Sequence, residues 1–230
     1  RNMKEKTNFT EGKIMQPLLL FAVPVGVFSA IYLVEYAKRG NKLVKVVRMT
    51  TETLSGIPSI VYGLFGYLMF GVAFHWGYSM LSGALTLAIM VLPSIMRTTE
   101  EALKAVPDSY REGSFGLGAG RLRTVFVVIL PSAIPGILAG VILAIGRITG
   151  ETAALIYTAG TVPGIPTTKL CGIPIFDMMA SGRTLAIHMY ALLNEGLYTE
   201  QAYATAVVLL VMVLLINALS AFVAKKFTRS

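Results

Sequence analysis

The sequence predicts an all-α, polytopic transmembrane helical bundle with five spans. Of its 230 residues 55% are apolar and only 14% charged, where a soluble domain carries about 25% charge. Mean hydropathy is +0.69. The apolar residues also fall in long continuous runs without two-residue alternation, which favours helices over a barrel. This balance excludes a soluble enzyme, a disordered chain and a secreted disulfide scaffold.

A helix needs roughly 20 apolar residues to cross the hydrocarbon. Five stretches qualify: residues 14–34, 54–74, 78–96, 125–148 and 202–224. The first is the weakest, because Pro17 and Pro24 interrupt it. Gly56, Gly63, Gly66, Gly136 and Gly140 are expected to let helices approach closely inside lipid.

The net charge of +8 matters through its distribution. Lys38, Arg39, Lys42, Lys45 and Arg48 lie between spans one and two, and Arg97, Lys104, Arg111, Arg121 and Arg123 between three and four. With Lys225, Lys226 and Arg229 of the tail, thirteen basic residues fall on one side. The other side holds four in the leader plus Lys169 and Arg183, and Arg147 lies inside a span. The positive-inside rule places the thirteen in the cytoplasm, with the N-terminus outside and the C-terminus inside. Residues 1–13 form a polar periplasmic leader with no cleavage pattern. An outside N-terminus of this kind predicts a further helix ahead of residue 1, or a shortened chain. Residues 225–230 form a cytoplasmic tail.

Two loops are long. The outer one, 161–201, begins with Pro163, Pro166 and Pro174 and should be irregular or extended at its start. Leu185, Ile187, Met189, Leu192 and Leu193 within it suggest an interfacial amphipathic helix that includes His188. The inner one, 98–124, carries Ser109 three residues before Glu112, the spacing of a capping box. A short helix starting there should be stopped by Gly116, Gly118 and Gly120. An ordinary charged loop at the headgroups is the competing reading.

A longer spacing favours the helix. Glu112, Gly118, Leu130 and Pro131 stand where the loop signature of ABC importer permeases has its Glu, Gly and Leu-Pro. Gly113 and Ser114 replace two alanines of that signature, and Val128 replaces an isoleucine. Glu101–Glu112, Leu54–Leu64 and Gly146–Ala153 also resemble the permeases of phosphate-specific ABC importers, the A-type chain more closely, from about Glu11 to the C-terminus. The family usually has another helix and outer loop ahead of this point.

The resemblance implies the type I ABC importer permease class and a division of labour. A periplasmic phosphate-binding protein delivers the anion, a second permease subunit completes the path, and two ATPase subunits supply the drive. The helix carrying Ser109, Arg111, Glu112, Gly113, Ser114 and Gly118 would dock on the ATPase. No Walker-type sequence occurs here. ATP and magnesium are therefore expected on that partner, and this chain is expected to bind no cofactor and catalyse nothing alone.

In or just beyond the fourth span, Arg147 and Glu151 are four residues apart and so on one helix face. An arginine at mid-membrane costs about 2.5–3.5 kcal/mol on insertion scales, so this face is expected to line the anion path, with Thr149 and Thr152 adding hydrogen bonds and Gly150 acting as a hinge. Arginine offers phosphate two parallel donors. A structural ion pair with Arg147 snorkelling to water is the alternative. His75, beside Trp76 and Tyr78, belongs to an aromatic belt. The two histidines and the lone Cys171 have no metal-ligand spacing. Asp177, Glu195 and Glu200 face outside, where a binding protein or plain solvent accounts for them equally. Nucleic acid is not expected as a partner. Molybdate, tungstate or sulfate as cargo, or a passive channel, remain the alternatives to phosphate import.

Overall fold

The computed structural model describes residues 2–38, 40–162, 167–170, 173–196 and 198–228. Arg39, Pro163, Pro166, Cys171 and Arg229, weighed above, lie outside them. Ten helices and one small hairpin make up the described chain.

The first helix, α1 (Asn2–Ile31), runs through both Pro17 and Pro24 and then widens into a π-helical turn over Tyr32–Tyr36. The amide of Ala37 closes that turn on the Tyr32 carbonyl at 3.0 Å. Next come α2 (Lys42–Ser55) and α3 (Ser59–Gly66), the latter extended by a wide turn over Tyr67–Ala73. The chain bends by 104° at the break between them, where Pro58 ends the hydrogen-bond ladder. Then follow α4 (Met80–Lys104), α5 (Asp108–Gly116), α6 (Arg121–Arg123) with a wide turn to Ile129, α7 (Leu130–Thr149) and α8 (Ala153–Thr158). Strands β1 (Thr167–Leu170) and β2 (Ile173–Phe176) pair antiparallel, Thr167 opposite Phe176 and Leu170 opposite Ile173. Helices α9 (Leu185–Glu195) and α10 (Thr199–Thr228) complete the chain.

Among the described residues four stretches are long and apolar enough to cross a membrane: Ile14–Tyr36, Met80–Lys104, Arg121–Thr149 and Thr199–Leu219. The bent α2–α3 pair is a fifth candidate. The expected second span, 54–74, is therefore shorter than anticipated, and α2 is a separate element inside what reads as a basic loop.

The chain divides into two compact units. One comprises residues 1–21, 57–90 and 145–215. Leu18, Met80, Leu87, Leu155, Leu185 and Ile187 are fully buried there. A Cβ on Gly63 would stand 2.8 Å from the Ala154 Cα, so α3 and α8 meet backbone to backbone. The first amides of α4, which lack helical partners, are taken up by loop carbonyls: Met80 by Ala180 at 3.0 Å and Leu81 by Met178 at 2.9 Å. Helix α9 is capped by Thr184, whose Oγ1 accepts from the Ile187 amide at 3.3 Å. Its Leu185, Ile187 and Leu192 are buried, so α9 packs into the protein instead of resting on the lipid surface as expected. The extended start of the outer loop takes the form of the hairpin.

The second unit comprises residues 22–56, 91–144 and 216–230. Its core gathers Ile31, Leu103, Val106, Val125, Ile129, Ala133 and Ile137. Gly136 and Gly140, one turn apart on α7, lie against Ala102 and Thr98 of α4, the small-residue contact expected in lipid. Gly56 instead ends α2 and meets only its own turn.

Candidate functional site

The loop between α4 and α7 builds the first candidate site. Pro107 has no amide proton and takes the N-cap place of α5 with φ −57° and ψ 141°. Helix α5 therefore begins at Asp108, and Ser109 falls inside its first turn. The expected Ser109–Glu112 capping box does not form, because no side chain caps this helix. Its start is favoured instead by Asp108, a carboxylate at the positive end of the helix dipole. The helix itself is where the spacing put it, and Gly118 at φ +80° turns the chain out of it.

Arg111 is the residue that fixes this helix. Its Nη2 donates to Glu35 Oε1 at 2.7 Å and to the Leu103 carbonyl at 3.0 Å. Its Nη1 donates to the Val106 carbonyl at 2.9 Å and to Asp108 Oδ1 at 3.1 Å. One guanidinium thus closes the C-terminal end of α4, holds α5 from within and ties both to the wide turn after α1. Glu35 and Arg111 are 9% and 16% exposed. The hydrogen bond to the Glu35 carboxylate raises the Arg111 pKa above its ordinary value, outweighing the opposite effect of burial. Ser114 adds a second tie, its Oγ 2.8 Å from Thr124 Oγ1.

Much of α5 is uncovered. The helix has no buried residue, and Tyr110, Phe115 and Leu117 are exposed, Leu117 by 91%. Glu112, Gly113 and Ser109 are exposed as well. Large apolar side chains held out on a rigidly tied helix form a surface built to be covered.

The second candidate site lies at the end of α7, in the other unit. Arg147 stands in its last turn, exposed, and no carboxylate pairs with it among the described residues. Its charge acts on Tyr62 of α3. The helix stops at Thr149, so Arg147 and Glu151 do not share the continuous face expected of them. Glu151 instead caps α8, its Oε1 accepting from the Ala154 amide at 3.3 Å. Gly150 and Thr152 lie in this break, with Thr152 Oγ1 3.4 Å from the Gly150 carbonyl. Thr149 is buried, and its hydroxyl donates to the Ile145 carbonyl at 2.9 Å. It borders a cavity of about 20 Å³, room for about one water and not for an oxyanion. Of the four expected path residues, Arg147 is the exposed one.

Sequence reasoning did not single out Glu35, Glu100 or helix α2. Glu35 is an isolated carboxylate at the end of an apolar span, which was the available signal. Glu100 receives both Lys104 at 2.7 Å and Arg48 of α2. No group of three or more potential metal ligands occurs among the described residues.

The family profile for binding-protein-dependent transport system inner membrane components matches residues 22–229. The chain belongs to this family. It is a transporter subunit and not an enzyme, as its relatives are. Over 206 residues it is 39% identical to "Probable ABC transporter permease protein YqgI" of Bacillus subtilis, covering 86% of this chain and 70% of that one. It is 42% identical over 158 residues to "Phosphate transport system permease protein PstA 2" of Mycobacterium bovis, covering 69% and 52%. The PstA protein of Pasteurella multocida is 36% identical over 200 residues, covering 86% and 68%. The chain therefore spans about half to 70% of the length of these relatives.

Among solved structures, the MetNI methionine ABC transporter in inward facing conformations aligns with a TM-score of 0.72 at 18% identity, covering 98% of this chain and 95% of that one. An amino acid ABC transporter with histidines aligns at 0.64 and 18%, covering 97% and 93%. At these identities the likeness is one of fold, and it agrees with the all-α helical bundle expected from the sequence.

Proposed function

We propose that this chain is the membrane-spanning permease of an ATP-driven importer of inorganic phosphate and forms half of its translocation path. The observation that carries the reading is helix α5: a short helix with exposed apolar side chains at Tyr110, Phe115 and the following Leu117, fixed by Arg111 to Glu35 and to the end of α4. Phosphate as the cargo is supported by relatives 36–42% identical that are named as phosphate transport permeases.

In this reading α5 faces the cytoplasm and seats Phe115 and Leu117 in a groove on an ATPase subunit. That partner carries the ATP and magnesium. Its closure on ATP presses α5, and the Arg111 clamp passes the push to α4 and to the end of α1. A second permease subunit completes the path, and a binding protein delivers phosphate from outside. Arg147 meets the anion, because a guanidinium gives two parallel donors to phosphate oxygens. The N-terminus lies outside and the C-terminus in the cytoplasm, following the distribution of basic residues.

The test is ATPase activity of the reconstituted complex with its binding protein loaded with phosphate, sulfate or molybdate in turn. Stimulation by phosphate alone is expected. Stimulation by another anion changes the cargo, and none at all in an assembled complex overturns the coupled-importer reading.

A further inference from the structure

A groove of about 950 Å³ opens within the second unit, between the turn after α1, helix α2 and the loop that holds α5. That is the size of a small-molecule site, and nothing in the transport reading fills it. Seven cations and three carboxylates line it. The carboxylates leave most of the positive charge unmatched. Arg111 already holds Glu35 and Asp108, and Arg48 and Lys104 both turn to Glu100 of α4. Lys38, Lys42, Lys45 and Arg121 make no ion pair among the described residues. Glu52 is the one lining carboxylate left to face them.

The four unpaired cations come from the turn after α1, from α2 and from α6. A preference for basic residues on one side of a membrane accounts for their presence in these loops. It does not account for their gathering from three elements around one hollow. Lys42 and Lys45 also stand in the first turn of α2, which holds no acidic residue, and a cation there opposes the helix dipole. Leu33, Val34 and Phe115 back the groove with apolar surface, and such walls concentrate the field of the charges beside them. The fold thus holds like charges together at a cost that a bound anion would remove. Phosphate suits these donors. It concentrates about two charges on a single group of acceptor oxygens, and so meets several lysine point charges and the Arg121 fork together.

We propose that this groove is a binding site for a phosphate-bearing anion, held by Lys38, Lys42, Lys45 and Arg121. The anion links α2 to the start of α6 across the Arg111 clamp and braces α5 from its side. The groove does not include Arg147, which belongs to the other unit, so the site stands whatever the cargo is. A soluble phosphate compound and a phospholipid headgroup offer the same chemistry, and the experiment separates them.

The experiment is acetylation footprinting of the complete transporter, read lysine by lysine by mass spectrometry. One arm uses nanodiscs of phosphatidylcholine with and without inorganic pyrophosphate, which carries phosphate groups but no nucleoside for an ATPase. The other arm uses nanodiscs of phosphatidylglycerol with no added anion. Acetylation of Lys38, Lys42 and Lys45 is expected to slow about fivefold at a pyrophosphate concentration about four times its dissociation constant. Slowing in the first arm identifies a soluble phosphate compound as the occupant. Slowing in the second arm alone identifies a lipid headgroup, and either result supports the site. The triple variant Lys42→Gln/Lys45→Gln/Arg121→Gln changes exposed positions and should remove the protection of Lys38, whereas Arg147→Gln should leave it. Slowing in neither arm, equal slowing by chloride at matched ionic strength, or protection of Lys38 that survives the triple variant would overturn the proposal. Lysines already unreactive in phosphatidylcholine without pyrophosphate would overturn it too, because another subunit would then cover the groove.

Discussion

The Arg111 guanidinium sits 2.7 Å from the Glu35 carboxylate while donating to the carbonyls of Leu103 and Val106. Seventy-six positions separate the two residues in sequence. The pair makes the wide turn after α1 and helix α5 one mechanical piece.

Glu35→Ala leaves a mostly buried guanidinium without its main counter-charge, at a cost of about 3 kcal/mol. Faster amide exchange across residues 108–116 and a lower thermal midpoint of the purified complex are the expected readouts. The charge swap Glu35→Arg with Arg111→Glu should not restore either. A carboxylate at 111 would face two carbonyl oxygens to which it cannot donate. Recovery by the swap would reduce the contact to a simple ion pair.

Gly113→Ala should act in the opposite direction. Nothing lies within 4 Å of a Cβ at that position, so the helix gains roughly 1 kcal/mol of propensity without a clash. Slower amide exchange within α5 is the expected sign, with ATPase coupling retained.

Gly63→Val should be poorly tolerated. Its Cβ would press on the Ala154 backbone at 2.8 Å, and backbone cannot rotate aside. A loss of about 1–3 kcal/mol is expected, read as a fall in the thermal midpoint.

His188 gives a pH dependence. Burial, and then the Arg183 charge, hold its pKa below the ordinary value of 6.5, and Arg183 Nη1 donates to its Nδ1 at 3.2 Å. The unfolded chain therefore binds the proton more readily. The contribution of this neutral imidazole is complete above about pH 6.5 and is lost as the pH falls below it. Thermal midpoints measured between about pH 7 and pH 5 should decline in the parent protein. His188→Gln should flatten that part of the decline.

Arg147→Gln is expected to abolish phosphate uptake by proteoliposomes containing the assembled complex, and Arg147→Lys to recover only part of it, since a point charge replaces a two-donor fork. Unchanged uptake in Arg147→Gln would return the residue to a structural role.

Much of this was legible in the sequence. Long apolar runs coincide with four long apolar helices among the described residues, and the Glu112–Pro131 spacing marked the loop that holds α5. The misses have physical reasons. Ser109 and Glu112 have capping-box spacing, but Pro107 takes the cap position two residues too early for it. Residues 42–55 read as a basic loop on the strength of their lysines and arginine, although their apolar residues recur on the 3.6-residue period of the amphipathic helix α2. Residues 185–195 have a surface helix's mixture of side chains, yet Leu185 and Ile187 are buried. The role of Glu35 depends on a partner that no local pattern announces. The break after Thr149 separates Arg147 from Glu151 because the Glu151 carboxylate starts a new helix instead of joining the old one.

The contacts of Gly136 with Ala102 and of Gly140 with Thr98 bear on stiffness. Helices joined through such short side chains have no long, compressible side chains between them to yield under load. Within that unit α4 and α7 should move as a single beam, and pressure on Phe115 would swing the beam and not bend it. Lengthening either contact, as in Gly140→Leu, would put a soft washer into the linkage. The cost would appear as ATP hydrolysed per phosphate carried, even in protein that remains folded.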